Sequence, residues 1–281
     1  MARRAIFTRS RDVFRFIWDH PANRNRRVRQ LGKAVSFQLQ ARLLHRRAQV
    51  RVGETGKIWV DLHRTSASKA LYANPPDWPE MLVWQRHLCH GDLFFDVGAN
   101  VGTYTVLAAS MGASVVAVEA AADTAQLLRE NVTLNGFTDV RVIEAAAGAV
   151  AGSVRYSSGL DSVNRIDPTG PVEVEMVTLD SLIGDRHVAG LKVDVEGFEL
   201  IVLEGASEAL SEHRVALVQL EWNDTSMDAL GIDRQSVAEL LARYGYGLLA
   251  PNADGNLVPV STRTGDDLQN LFAAPTGSYP P

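Results

Sequence analysis

The chain has a single cysteine, Cys89, among 281 residues. That excludes an intramolecular disulfide and suits a reducing, cytoplasmic setting. Cys89 itself is expected to be buried apolar filler rather than a nucleophile. No apolar run approaches the ~18 residues of a membrane-crossing helix. The N-terminus is basic, but no apolar segment follows it as a secretory leader would require. No internal repeat is found. Acids are scarce at the start: residues 1–49 hold 13 Lys and Arg against Asp12 and Asp19. Of the totals of 28 basic and 33 acidic residues, 15 and 31 therefore fall in residues 50–281. The net charge of -5 thus conceals a basic arm on an acidic body. An acidic body without a nucleic-acid-binding motif argues against nucleic acid as partner.

What is present is organised around residues 92–119. Leu93 to Val97 is a short apolar run suited to a buried parallel strand. Gly98 and Gly102 permit a tight turn and a close backbone approach. A helix follows, and Val115 to Val118 forms a second buried strand that ends in Glu119. In an open α/β sheet, ligands bind outside the carboxyl ends of the strands. Asp96, Gly98, Asn100, Gly102 and Glu119 therefore face one crevice.

A glycine turn followed by an acid about 20 residues on points to a ribose-bearing ligand; Glu119 comes 17 residues after Gly102. The turn is not G-x-G-x-x-G, and Asp96 stands two residues before its first glycine. A carboxylate there repels a pyrophosphate and suits a cation. S-adenosylmethionine carries a ribose, an ammonium and a sulfonium but no phosphate, so it fits better than a nicotinamide dinucleotide.

The remaining segments read in order. Residues 1–30 are Arg-rich with scattered aromatics, and 31–48 look helical, with Leu31, Val35, Leu39 and Leu43 recurring every fourth residue. This arm could dock on the sheet, mediate a homo-oligomer, meet an anionic partner such as a membrane surface, or stay solvated. Residues 50–72 read as a hairpin, 72–79 as a proline-rich loop and 79–90 as a helix; together they could form a lid. Trp78 and Trp84 are expected to pack. A helix over 122–135 capped by Gly136 leads to a strand ending in Glu144-Ala145-Ala146, which would lie near an adenine. Residues 157–171 read as a polar loop, a site of substrate contact or simply solvated. Gly190 to Val195 is a core strand ending in Asp194-Val-Glu196-Gly197. The segment after Gly265 is expected to fray.

Several segments together, Phe95-Asp-Val-Gly-Ala-Asn-Val-Gly-Thr-Tyr-Thr105, Val118-Glu119, Asn131 to Gly136, Thr178-Leu-Asp-Ser-Leu182 and Leu191-Lys-Val-Asp-Val-Glu-Gly-Phe-Glu199, resemble the FkbM family of S-adenosylmethionine-dependent methyltransferases. The likeness covers about residues 80–250, and the segment from Leu191 to Glu199 is its discriminating part. Ala120 departs from the proline that often follows the acid in that family. The resemblance implies an α/β, Rossmann-like class I methyltransferase fold: a mostly parallel seven-stranded sheet with helices on both faces, here with a basic N-terminal extension. It also implies O-methylation of a sugar or polyketide-type natural product. The resulting division is a basic arm (1–49), a hairpin and helix cap (50–90), a methyltransferase core (91–262) and a tail (263–281).

In the expected strand order, Asp96 and Asp194 end neighbouring strands. Asp194 or Glu196 is then the base or the acceptor-positioning group, and Lys192 is structural within its strand. Asp96, Gly98, Asn100, Gly102, Glu119 and Glu144 are assigned to the cofactor. His90, His187 and His213 precede core strands and belong to the opposite edge; His63 and His87 would need an unusual lid. Mg²⁺ held by Asp194, Glu221, Asn223 and Asp224 is a rival that is not favoured, so no metal ligand is assigned. The alternatives from other classes are a non-catalytic partner protein on the same fold and an NAD-dependent oxidoreductase. The acceptor is a small-molecule hydroxyl, with N-methylation left open.

Overall fold

The structure, a computed structural model, describes residues 2–44, 47–60, 65–156, 166, 169–222, 233–261 and 269–278. The chain opens with two helices, α1 (Ala2–Asp19) and α2 (Arg27–Leu44), joined through a short 3-10 turn at Pro21–Asn23. A hairpin of β1 (Ala48–Val52) and β2 (Gly56–Val60) follows, then α3 (Thr65–Tyr72) and α4 (Glu80–His87). The alternating core begins with β3 (Leu93–Val97), α5 (Thr103–Ser110), β4 (Ser114–Glu119), α6 (Ala122–Asn135) and β5 (Val140–Glu144). A small sheet of β6 (Ala146–Ala147), β7 (Gly152–Tyr156) and β8 (Val172–Val177) branches off. The core resumes with α7 (Leu179–Ile183), β9 (Gly190–Val193), α8 (Glu199–Glu204), α9 (Ser207–Ser211) and β10 (Val218–Glu221). It ends with α10 (Arg234–Arg243), β11 (Tyr246–Pro251), β12 (Leu257–Pro259) and β13 (Asn270–Pro275).

The main sheet runs β12-β11-β13-β10-β9-β3-β4-β5. It has eight strands where seven were expected, because the short β12 pairs onto the edge of β11. β10, β9, β3, β4 and β5 are parallel, and β13 enters antiparallel between β10 and β11. The expected tail at 263–281 is thus corrected: Leu271 to Ala274 are buried inside the sheet. This apolar stretch gains its backbone partners only from β10 and β11, far back in the chain. The apolar stretch after Phe198 forms two short helices, α8 and α9, that divide at Gly205, where a Cβ would come 2.0 Å from the Gly148 carbonyl oxygen.

The strands alternate across two layers. Phe95, Val97, Leu191 and Val193 face one apolar cluster, with Leu203 and Trp222. Phe94, Val115 and Ala117 face the other, with Trp84, Leu107 and Leu128. This two-sided burial is why β3, β4 and β9 read as nearly continuous apolar runs. Trp84 is a packing residue as expected: it lies edge-on to Phe94 at 5.0 Å, and its indole N–H donates to Gln219. Truncating such a side chain costs about 3–5 kcal/mol. Cys89, by contrast, is exposed and not core filler.

Some residues within the recognisable segments act structurally. Asn131 donates to the Val101 carbonyl and accepts from Trp59 N–H, both at 2.8 Å, tying the glycine turn to β2. Thr178 caps α7, and Asp180 accepts from the Glu208 and Ala209 amides at the start of α9.

The two N-terminal helices pack on α3 through Ile17, Ala34 and Tyr72. The four-residue recurrence in α2 does not mark its buried side: Ala34 and Phe37 are buried, while Val35 and Leu39 are exposed. No helix among the described residues is long and apolar enough to cross a membrane.

Candidate functional site

At the carboxyl ends of β3, β4 and β9 lies a cavity of about 300 Å³. β3 continues through α5 to β4 on one side, while β9 continues to β10 on the other. The crevice therefore sits at the topological switch point, where open α/β sheets take ligands.

The turn after β3 explains its composition. Gly98 has φ +72°, and a Cβ there would come 1.8 Å from the Asp194 carbonyl oxygen. Only glycine lets the β3 turn pass under the end of β9. Asn100 also adopts positive φ, at 51°, which Asn tolerates better than most residues. Gly102 has φ +87°, but its missing Cβ makes room for Leu128 of α6, at 2.2 Å, and it does not line the cavity. Its place in the turn is thus explained by helix packing.

Glu119 ends β4 almost fully buried. Its carboxylate accepts from Asn100 N–H at 2.8 Å and from Ala121 N–H at 2.9 Å. Burial raises its pKa, and those two N–H groups oppose the rise. The carboxylate keeps acceptor capacity for ligand hydroxyls. Beside it, Val118 and Ala145 to Ala147 form an apolar wall. Glu144 is not part of that wall; it accepts from Arg129 at 2.9 Å on the exposed edge of the sheet. β5 is the edge strand, so its last side chain meets α6 and solvent.

Asp96 is 1% exposed and does not line the cavity. One oxygen accepts from Thr105 Oγ1 at 2.7 Å, and the other, buried without a hydrogen bond, lies 3.9 Å from Lys192 Nζ. Burial raises the Asp96 pKa, with Lys192 opposing. Lys192 faces the cavity in its place, donating to Asp194 Oδ2 at 2.8 Å with Nζ 4.8 Å from the centre of the Tyr104 ring. Burial pulls the Lys192 pKa down, but Asp194 and Asp96 outweigh it and the net shift is upward. Lys192 is therefore a buried cation that bridges the two strand ends, a role beyond holding its strand.

The opposite wall, at the ends of β9 and β10, holds Asp194, Glu196 and Glu221, whose carboxylate oxygens lie within 4.8 Å of one another. Glu196 has φ 54° in a loop tied down by Glu199, which accepts from the Val195 and Gly197 amides at 3.1 and 3.3 Å. Glu199 was not singled out in the sequence; its signal was a charged residue opening a helix immediately after a Gly-Phe pair. Burial pushes its pKa up to about 7. Burial, then the charges of Asp194, Glu196 and Glu199, push Glu221 well above the carboxylate range. Asp194, Glu196 and Glu221 are oxygen donors of the kind that hold Mg²⁺, but Lys192 already supplies positive charge at Asp194. The other two residues of the rival metal set, Asn223 and Asp224, lie outside the described residues. Tyr156, its pKa raised by burial, and Lys69, Pro76 and Asp77 complete the rim.

Among the described residues no histidine lines this cavity. His87 bonds the Ala189 carbonyl and His213 the Tyr244 carbonyl, both at 2.8 Å. Neither these nor His90 and His187 line the cavity. His63 lies outside the described residues.

The Methyltransferase FkbM domain family matches residues 96–248, more than half of the chain, and the chain belongs to that family. It is 28% identical over 157 residues to "Hexuronic acid methyltransferase AglP" of Haloferax volcanii, a match that covers 54% of this chain and 62% of the relative. Among solved structures it is similar to a TehB-like SAM-dependent methyltransferase from Corynebacterium glutamicum, at 14% identity and TM-score 0.40, covering 69% of this chain and 84% of that one. It is also similar to a SAM-dependent O-methyltransferase from Thermotoga maritima, at 14% identity and TM-score 0.39, covering 71% and 66%.

Proposed function

From membership of the FkbM methyltransferase family, we propose that the chain transfers a methyl group from S-adenosylmethionine to a hydroxyl of a sugar or polyketide-type small molecule. The observation that carries this reading is the charge of the cavity. Glu119, Asp194, Glu196 and Asp77 line it against the cations Lys69 and Lys192, with Glu221 beside them held toward its neutral form by burial. Such a surface disfavours the pyrophosphate of a nicotinamide dinucleotide and accommodates a cationic nucleoside. A sugar acceptor is favoured because the relative is named for a hexuronic acid.

S-adenosylmethionine supplies an activated methyl on a sulfonium. Its ribose hydroxyls would donate to Glu119, its adenine would lie on the wall of Val118 and Ala145, and its amino-acid end would meet Gly98 and Asn100. Asp96 reaches the cavity only through Lys192 and Thr105, so it is a supporting residue in this reading. On the other wall, Lys192 engages one oxygen of Asp194, so the second is the one open to an acceptor hydroxyl. Asp194 and Glu196 then orient the acceptor and take its proton. The stapled loop fixes their geometry, and alignment with exclusion of water is the main demand of an in-line transfer.

Calorimetric titration with S-adenosylmethionine, S-adenosylhomocysteine and NAD, with and without Mg²⁺, tests the reading. Binding of the first two at micromolar concentrations, about -8 kcal/mol, followed by methylation of a sugar in an acceptor screen, is expected. Binding of NAD alone would overturn it. Binding of no nucleoside would favour the non-catalytic partner protein.

A further inference from the structure

We propose that the outer face of α1 and α2 docks on an anionic lipid bilayer. Helices that pack on a body usually turn apolar residues inward; here a second apolar stripe points out. On α2, Val28, Val35 and Leu39 are 77%, 60% and 56% exposed, with exposed Gly32 between them. The spacing of four, three and four residues places all four positions on one side, opposite buried Ala34 and Phe37. On α1, exposed Phe14 and Trp18 stack at 5.5 Å. Arg27 lies over the Trp18 ring at 5.3 Å and joins the two patches.

The same two helices and the turn between them carry the exposed cations Arg11, Arg15, Arg24, Arg26, Arg29 and Lys33. The acids of the arm, Asp12 and Asp19, group with Arg15 on α1, where Asp19 lies 3.6 Å from Arg15 and offsets its charge; the other five cations have no acid of the arm paired with them among the described residues. Aromatic and aliphatic side chains flanked by Arg and Lys suit the boundary between acyl chains and phosphate headgroups. Nucleic acid would satisfy the cations but leave Val28, Val35 and Leu39 without a complement. A second copy could offer its acidic body to the cations, but charge alone does not cover the aliphatic stripe.

The arm also touches the rim of the cavity. His20 Nε2 bonds the Pro76 carbonyl at 3.1 Å, Asn23 donates to the Tyr72 carbonyl at 2.8 Å, and Gln30 donates to the Leu71 carbonyl at 2.7 Å. Pro76 and Asp77 line the cavity. Docking would therefore hold that rim close to the lipid surface.

The full chain is sedimented with phosphatidylcholine vesicles, with and without phosphatidylglycerol, at low and high salt. Binding is expected to the anionic vesicles only and to weaken with salt. Phe14→Ser with Trp18→Ser, Val35→Ser with Leu39→Ser, and Arg24→Gln with Arg29→Gln and Lys33→Gln should each weaken it at least about tenfold. All three sets are at exposed positions, so the melting temperature should stay unchanged. Trp18→Phe should remove a blue shift in tryptophan emission that vesicles induce. Equal binding to neutral vesicles, no binding to either kind, or variants that bind like the parent would overturn the proposal. So would a dimer by light scattering that these variants dissolve without any vesicle binding. Since no methyl acceptor or cofactor enters the assay, its outcome is independent of the transferase reading.

Discussion

The two walls of the cavity are built differently. The β3–β4 wall is mostly backbone: a positive-φ glycine, a positive-φ asparagine and a carboxylate held by two amide N–H groups. The β9–β10 wall is mostly side-chain charge: Lys192 between two aspartates, and three carboxylates crowded together. The first can bind a constant ligand by rigid geometry. In the proposed function the second wall handles the proton and the acceptor. Variants that attack one wall while sparing the other sharpen this division.

The largest effect should come where the walls touch. Gly98→Ala forces a Cβ onto the Asp194 carbonyl and should lower stability by about 4 kcal/mol, read by urea denaturation, with S-adenosylmethionine binding lost alongside. Lys192→Met leaves buried Asp96 without its cation and should cost about 3 kcal/mol; adding Asp96→Asn should recover part of it. A Lys192→Met chain as stable as the parent would mean the bridge between the walls is unimportant.

Glu119→Ala attacks only the backbone-built wall. It should weaken S-adenosylmethionine binding by about 2 kcal/mol, roughly thirtyfold, in a calorimetric titration.

Glu199 gives the charged wall a pH signature. Its pKa rises from 4.5 to about 7 on folding, so between those values the folded chain holds a proton the unfolded chain has released. Stability from this group therefore falls as pH rises from about 4.5 to about 7, by roughly 3 kcal/mol. Glu199→Gln, which keeps an acceptor for the two amides, should flatten that decline in thermal melts across the window. An unchanged slope would remove Glu199 as its source.

The smallest effect belongs outside both walls. Glu144→Ala breaks a surface pair with Arg129 and should change stability by less than about 0.5 kcal/mol without altering cofactor binding. Clear loss of binding would restore Glu144 to the cofactor site.

Legibility in the sequence follows this same contrast. Gly98 and Asn100 could be read as a turn because their geometry is set within a few residues of chain, and Glu119 as the acid that ends the next strand; Asp96 was read as facing the same crevice, but its side chain is buried against Thr105 and Lys192 instead. Gly102 and Glu144 were harder, since the neighbours that occupy them, Leu128 and Arg129, come from α6. Lys192 looked like an ordinary strand residue until β3 and β9 were paired, with Asp96 opposite Lys192 in register. Glu199 needed the loop folded back over it. The segment 270–275 looked like the end of a fraying tail because a strand between β10 and β11 has no local partner to announce it. In α2, recurrence alone could not say which of two apolar stripes faced inward.

By itself, then, the sequence determined the family, most of the strands and helices of the core, and the glycine turn between β3 and α5. Each of these rests on residues close in the chain, where φ, hydrophobic period and spacing act directly. Only the tertiary structure decided that Lys192 couples the two aspartates, that Glu221 joins Asp194 and Glu196, and that Val35 and Leu39 face outward. Those depend on long-range strand register and on burial, which alter the charge and exposure of a residue without changing its immediate neighbours in the chain.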